Sequence, residues 1–241
     1  VAKSLKLVSA GATGYTTTFN NAINATTVAI GGGSASFAEG ITGNVTVNGG
    51  SFTLAAGKNI SGYIDALAGG SSMTFSGSST IGGLVGSTTA FDLITAGAAN
   101  STVTFSSAVK AGTIEVASGT VAFSDNATGD INFTADGVVQ LAAGKTITGY
   151  VDNKTGADGA GTLTFAGAST VTKSIGVTNA LKLITAAQSG AAAVFGESVA
   201  AETINLGSGA VSFGGDITGE VNVNNAGSVI TIADGAKVTG N

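Results

Sequence analysis

The sequence predicts an all-β chain folded as a parallel β-helix, a β-solenoid built from tandem units of about 86–91 residues. Three observations carry the prediction. A long unit recurs: INFTADGVVQLAAGKTITG (Ile131 to Gly149) is matched earlier by VTVNGGSFTLAAGKNISG (Val45 to Gly62) and later by VNVNNAGSVITIADGAKVTG (Val221 to Gly240). Phe19, Phe105 and Phe195 stand 86 and 90 residues apart, and Phe37, Phe123 and Phe213 keep both spacings, as do Gly43, Gly129 and Gly219. Apolar residues alternate with small polar ones in short bursts, the period-two signature of strands, and breakers arrive roughly every eight to twelve residues. No proline and no shift of composition marks a linker between the units.

Taken in order, Leu5/Leu7, Thr17/Phe19, Val28/Ile30, Val45/Val47, Phe52/Leu54, Ile60, Met73/Phe75 and Ile81 mark the strands of the first unit. Gly31-Gly32-Gly33, Asn48-Gly49-Gly50 and Gly69-Gly70 supply its turns, and Ser118-Gly119 and Ala135-Asp136-Gly137 are their equivalents in the second. The units run approximately over 1–86, 87–176 and 177–241, the last incomplete, as one continuous array. The helical candidates Ala55 to Asn59 and Gln188 to Val194 are too short or too glycine-flanked to satisfy their own end groups. Inward positions are expected to be the recurring ones. In the first unit these are Leu7, Phe19, Val28, Ile30, Phe37, Val45, Val47, Leu54, Ile60 and Phe75. In the second they are Leu93, Phe105, Ile114, Val116, Phe123, Ile131, Phe133, Leu141, Ile147 and Phe165, with phenylalanines stacked in a ladder. At ~20–30 residues per turn and ~4.8 Å between turns, the chain makes about 8–12 turns and a rod of roughly 40–60 Å.

Other β architectures fit less well. An array of sandwich domains calls for a linker, and a membrane barrel for aromatic belts. Three tyrosines and no tryptophan make poor belts. Thirty-nine glycines suggest low complexity, yet 43% of residues are hydrophobic and the net charge is only −5, so the chain buries enough apolar surface to fold.

The absences restrict chemistry. There is no His, Cys, Trp, Pro or Arg, and all nine positive charges are Lys. This removes the commonest general base, thiolate chemistry, disulfides, the usual zinc ligands and the guanidinium fork. A chain without cysteine is also compatible with export, because nothing locks prematurely in an oxidising compartment.

The segments DGAGTLTFAGASTVTKSIGVTNALKL (Asp158 to Leu183), INFTADGVVQLAAGKTITGYVDN and ETINLGSGAVSFGGDITGEVNV carry a resemblance that extends over nearly the whole chain. It resembles the passenger region of the rickettsial outer membrane protein B-type autotransporters, the surface cell antigen family. The resemblance implies a β-solenoid passenger, export through a C-terminal barrel, an abundant coat on the cell surface and a part in adhesion to host cells. Neither leader nor barrel is found in these residues, so a membrane enters only through a separate barrel, and no functional residues carry over.

Candidate sites are sparse. Asp65/Asp152 and Asp130/Glu220 recur in two copies each, with Asn44 replacing the acid in the first copy of the second pair, and solvated outer positions account for them. Tandem calcium-roll spacing is missing, because Gly215-Asp216 and Asp158-Gly159 are isolated. Asp125, beside Asn126, and Asp130 are the weak metal candidates, having oxygen ligands nearby. No catalytic residue and no cofactor is expected. A pI near 4.5 without clustered positive charge disfavours nucleic acid. Gly31-Gly32-Gly33 lacks a phosphate-loop Lys and a following helix, and reads as a turn. The N-x-S/T sequons at Asn24, Asn44, Asn59, Asn100, Asn126 and Asn153 are what a Thr- and Asn-rich chain makes by chance. Thr16-Thr17-Thr18 and Thr26-Thr27 are too irregular for an ice-binding face. Tyr63 and Tyr150 repeat in step, which favours a structural role.

The function expected is a structural cell-surface protein, the passenger of an autotransporter-like or surface-layer protein, forming a rigid coat or stalk at the bacterial outer membrane with a role in adhesion. The alternative is a dedicated adhesin module for a host-cell receptor or glycan, and the third class, a β-helix enzyme acting on polysaccharide, is disfavoured. Val1 to Ala10 already matches an internal segment and the chain stops at Gly240-Asn241 without a cap. The expectation is therefore an interior slice or a stacking subunit, covered by further solenoid of the same chain or by end-to-end or lateral self-association.

Overall fold

Alternating apolar residues and glycine-rich corners leave the chain one economical solution, strands that stack on themselves turn after turn. The computed structural model describes residues 4–225 and 227–240 and has this form. Strand and bridge residues make up 56% of the described residues, and their parallel ladders form a β-solenoid of about 12 turns. The Gln188 to Val194 candidate contains only a three-residue 3-10 turn, Gln188–Gly190. Neighbouring turns are offset by 17 residues where Thr27 faces Asn44 and by 24 where Val85 faces Val109, so the shortest turns are tighter than the sequence predicts.

Three columns of inward residues define three faces. The first runs Val8, Val28, Val45, Ile64, Val85 and Val109. The second runs Ala35, Phe52, Met73, Ile94, Ile114 and Ile131. The third runs Ile41, Ile60, Ile81, Phe105, Phe123 and Leu141. Four turns carry Val8 to Val85 on the first face, but the counterpart of Val8 in the next unit, Ile94, sits on the second. The counterpart in the third unit, Ile184, stacks on Leu163 of the third face. Each sequence unit is therefore four turns plus one face, and every copy is rotated by a third of a turn relative to the one before.

The longest strands, Ile23–Ile30, Ile41–Asn48, Val109–Val116 and Val199–Leu206, each bend over a corner and serve two faces. In Ile23–Ile30, Val109–Val116 and Val199–Leu206 the bend is a β-bulge, with register shifts between Asn24 and Thr27, Lys110 and Thr113, and Ala200 and Thr203. Opposite each bulge lies a recurring glycine: Gly43, Gly129 and Gly219, with φ of +133°, +126° and +129°. A Cβ there would lie 1.7–1.9 Å from the carbonyl oxygen of Ala25, Ala111 or Ala201, so both conformation and space demand glycine.

The core is one side chain thick. Phe105, Phe123 and Phe133 are fully buried, as are the other expected inward residues from Val28 to Phe75 and from Phe105 to Phe165. Leu7 and Leu93 are corrections: Leu7 is 57% exposed and Leu93 half-buried, because inward positions are three residues apart across the corner and the alternation changes phase. Val8 and Ile94 are the residues that face the core there. Phe19 is half-buried and packs on the core through Phe37, ring centroids 5.1 Å apart. The phenylalanine ladder crosses both unit junctions, Phe75 to Phe105 at 5.8 Å and Phe165 to Phe195 at 5.6 Å, although the strands that carry it change face.

Candidate functional site

At a corner the ladder breaks and backbone N–H groups lose their partners, so a polar side chain from the adjacent turn must satisfy them. The carboxylates do this. N–H groups of Thr88, Gly70, Tyr150, Gly161, Thr178, Ala180, Ser174 and Lys237 donate to Asp65, Asp92, Asp130, Asp136, Asp152, Asp158, Glu197 and Asp216 respectively. Asn44, Asn59 and Asn126 do the same for Tyr63, Thr80 and Thr146. Three of the sequon asparagines are thereby tied into the wall, and Asn153 is fully buried with its amide donating to Ala157 and Ala180 carbonyls.

Asp65 and Asp152 correct the expectation of solvated outer positions: they are buried, 5% and 3% exposed, because the junction loops fold over them. They hold the junction loops, where Gly86 and Gly176 adopt positive φ and the chain passes to the next face. Asp152 accepts from the Thr178 N–H and hydroxyl and pairs with Lys154 at 2.6 Å. Burial pushes its carboxyl upward, and the Lys154 and Thr178 hydrogen bonds more than offset that, leaving it below the usual carboxylate range.

Lysines are likewise used between turns. Lys58 pairs with Glu39 and Lys145 with Asp125, the same position in successive units, while Lys173 pairs with Glu197 and Lys182 with Asp136. Hydrogen bonds from these lysines, and from Ser174 first in the case of Glu197, lower the carboxyls of Asp125, Asp136 and Glu197 and raise the ammonium groups of Lys173 and Lys182.

The two metal candidates are not brought together. Asp125 Oδ1 accepts from Lys145 at 2.9 Å and from its own neighbour Asn126, and Asp130 Oδ1 accepts the Tyr150 N–H at 3.1 Å. Among the described residues, no group of three acids is placed to hold a metal ion.

Outward hydroxyls are more regular than the threonine spacing implies. Thr16, Ser34, Ser51 and Ser72 stack in one column and Thr18, Ser36, Thr53 and Thr74 in another. The sequence hides this array because the turns that align it have unequal lengths.

A chemically mixed cleft of about 250 Å3 lies between Asp130, Asn132, Tyr150, Asp152, Lys154 and Val177. Asp130 and Asn132 point outward from one turn, Tyr150 and Asp152 lie directly above them in the next, and the junction loop carrying Val177 forms a wall. Sequence reading marks Asp130 and Tyr150 separately and gives no sign of Asn132. Only the 20-residue turn shows that they share a site. Comparison with protein-family models, curated proteins and solved structures finds no match for this chain.

Proposed function

We propose that this chain is a structural cell-surface protein, a passenger of the autotransporter or surface-layer type that forms a rigid coat or stalk at the bacterial outer membrane and takes part in adhesion. One observation carries the reading: the unit advances by one face at each repeat. A solenoid that grips a linear ligand or cleaves one gains from keeping its working side chains in register on a single face. Here equivalent groups, such as Lys58–Glu39 and Lys145–Asp125, fall on successive faces. Repetition in this form makes all sides of the rod alike, which suits a wall or stalk. Charged groups committed to bonds between turns fit the same role, since they stiffen the rod and leave a quiet surface. Association with further solenoid or with other copies, end to end or side by side, belongs to this reading.

Electron cryotomography of the source cells with gold-labelled antibody to the chain tests the proposal. A continuous labelled layer outside the outer membrane is expected. Label confined to the cytosol or the periplasm would overturn it.

A further inference from the structure

We infer that the Tyr150 cleft binds a neutral pyranose ring of a glycan. This does not rest on the coat reading, since a rod with or without a sugar site can form a wall.

The cleft has two chemically different sides. Tyr150 and Val177, 41% and 61% exposed, present an aromatic ring and a branched aliphatic group to the cleft in the middle of the rod, where every turn is covered above and below. Opposite them, Asp130 uses only Oδ1 to receive the Tyr150 N–H, and among the described residues its Oδ2 and the Asn132 carboxamide meet no partner. A free carboxylate oxygen is a strong acceptor, and a carboxamide supplies both donor and acceptor. An aromatic face beside paired hydrogen-bonding groups suits a ligand that is apolar on one side and hydroxylated around its edge.

Charge narrows the class. Asp130 repels an anion, and Lys154, the one cation among the described residues that line the cleft, is already held by Asp152 and by the Thr178 hydroxyl. Among the described residues no third acid joins Asp130 and the already engaged Asp152 to hold a metal ion. At about 250 Å3 the cleft is smaller than the ~300–1,000 Å3 of typical pockets for larger ligands, so it takes a single ring. A neutral monosaccharide unit meets these conditions, with ring C–H groups on Tyr150 and hydroxyls on Asp130 and Asn132.

The first unit provides an internal control. Tyr63 stands at the equivalent position, but Asn44 replaces Asp130, Thr46 replaces Asn132 and Leu67 replaces Lys154. The tyrosine recurs there beside an amide whose Oδ1 already receives the Tyr63 N–H and a single hydroxyl, without the free carboxylate oxygen and the free carboxamide, and no sugar binding is expected.

Titration of the isotope-labelled 241-residue chain with methyl β-glucopyranoside and methyl β-galactopyranoside, followed by amide chemical shifts, tests the inference. Saturable shifts confined to residues 130–133, 150–154 and 177–178 are expected with at least one of them. Tyr150→Ala and, separately, Asn132→Ala should each weaken binding at least tenfold, and Tyr63→Ala should leave it unchanged. The Asn132 side chain makes no hydrogen bond among the described residues and its backbone stays in the ladder, so its variant keeps the fold if Tyr150→Ala does not. Absence of saturable shifts with both sugars, or equal binding by the Asn132→Ala variant, overturns the proposal.

Discussion

Replacing Gly129 by alanine tests the corner logic of the solenoid. At φ +126° a non-glycine residue carries backbone strain of ~1–3 kcal/mol. The added Cβ would also lie 1.9 Å from the Ala111 carbonyl oxygen, about 1.1 Å inside a 3.0 Å contact. Backbone cannot swing aside as a flexible side chain can, so the bulge must withdraw from its neighbour. That loosens roughly two ladder hydrogen bonds at ~0.5–1.5 kcal/mol each, and repacking the single-layer core beneath costs ~1–3 kcal/mol. The sum is roughly 3–9 kcal/mol, at the severe end for one substitution. Gly144 provides the contrast, for its φ is +74° but nothing lies within 4 Å of its Cβ position. Gly144→Ala should cost only the strain, ~1–3 kcal/mol. Urea unfolding followed by circular dichroism, with amide exchange at Ile114 and Ile131, measures both variants. Equal midpoints for the two, or undisturbed exchange at Ile114 and Ile131 in Gly129→Ala, would refute the reasoning.

Phe123, sandwiched in the ladder with Phe105 at 5.6 Å, should lose ~3–5 kcal/mol on truncation to alanine, read from the same unfolding curves. The folded-state carboxyls of Asp125, Asp136, Asp152 and Glu197 lie below their unfolded values, so the stability they contribute is complete above the unfolded range near pH 4 and disappears as pH falls through the folded values. The melting temperature should therefore hold from neutrality to about pH 5 and drop below about pH 4, with a smaller drop in Asp152→Asn; a melting temperature that rises on acidification would contradict this. EDTA should leave the melting temperature unchanged, and a large decrease would show that the Asp125 to Asp130 segment holds a metal ion.

Most of the wall is legible in the sequence because a single-layer core needs a large apolar residue at each inward site, and Phe37, Phe105 and Phe123 recur for that reason, while Phe133 alternates with Val47 and Val223. Leu7 and Leu93 mislead because period-two reading has no means of registering a bulge, which changes the phase without changing the residue types. Gly43, Gly129 and Gly219 are visible as repeats, but the reason for them, a carbonyl oxygen of the adjacent turn, depends on contacts 17–18 residues away. The rotation of each unit by one face is hidden for a related reason. Turns of 17 to 24 residues have no fixed period, so the 86- and 90-residue spacings do not reveal that they hold a fractional number of turns. The cleft at Tyr150 shares this fate, since Asp130, Asn132 and Tyr150 meet only through the register.

The rotation of successive units can be measured directly by cysteine cross-linking, which is clean in a chain that has no cysteine of its own. Thr74 faces Thr95 across the first junction and Thr164 faces Thr185 across the second, all four side chains outward. Adjacent strands put such pairs within disulfide reach. Oxidation of the Thr74→Cys/Thr95→Cys and Thr164→Cys/Thr185→Cys variants should close an intramolecular disulfide in each, visible as one dehydrogenation in the intact mass. Persistence of free thiols in both folded variants would contradict the four-turns-plus-one-face repeat.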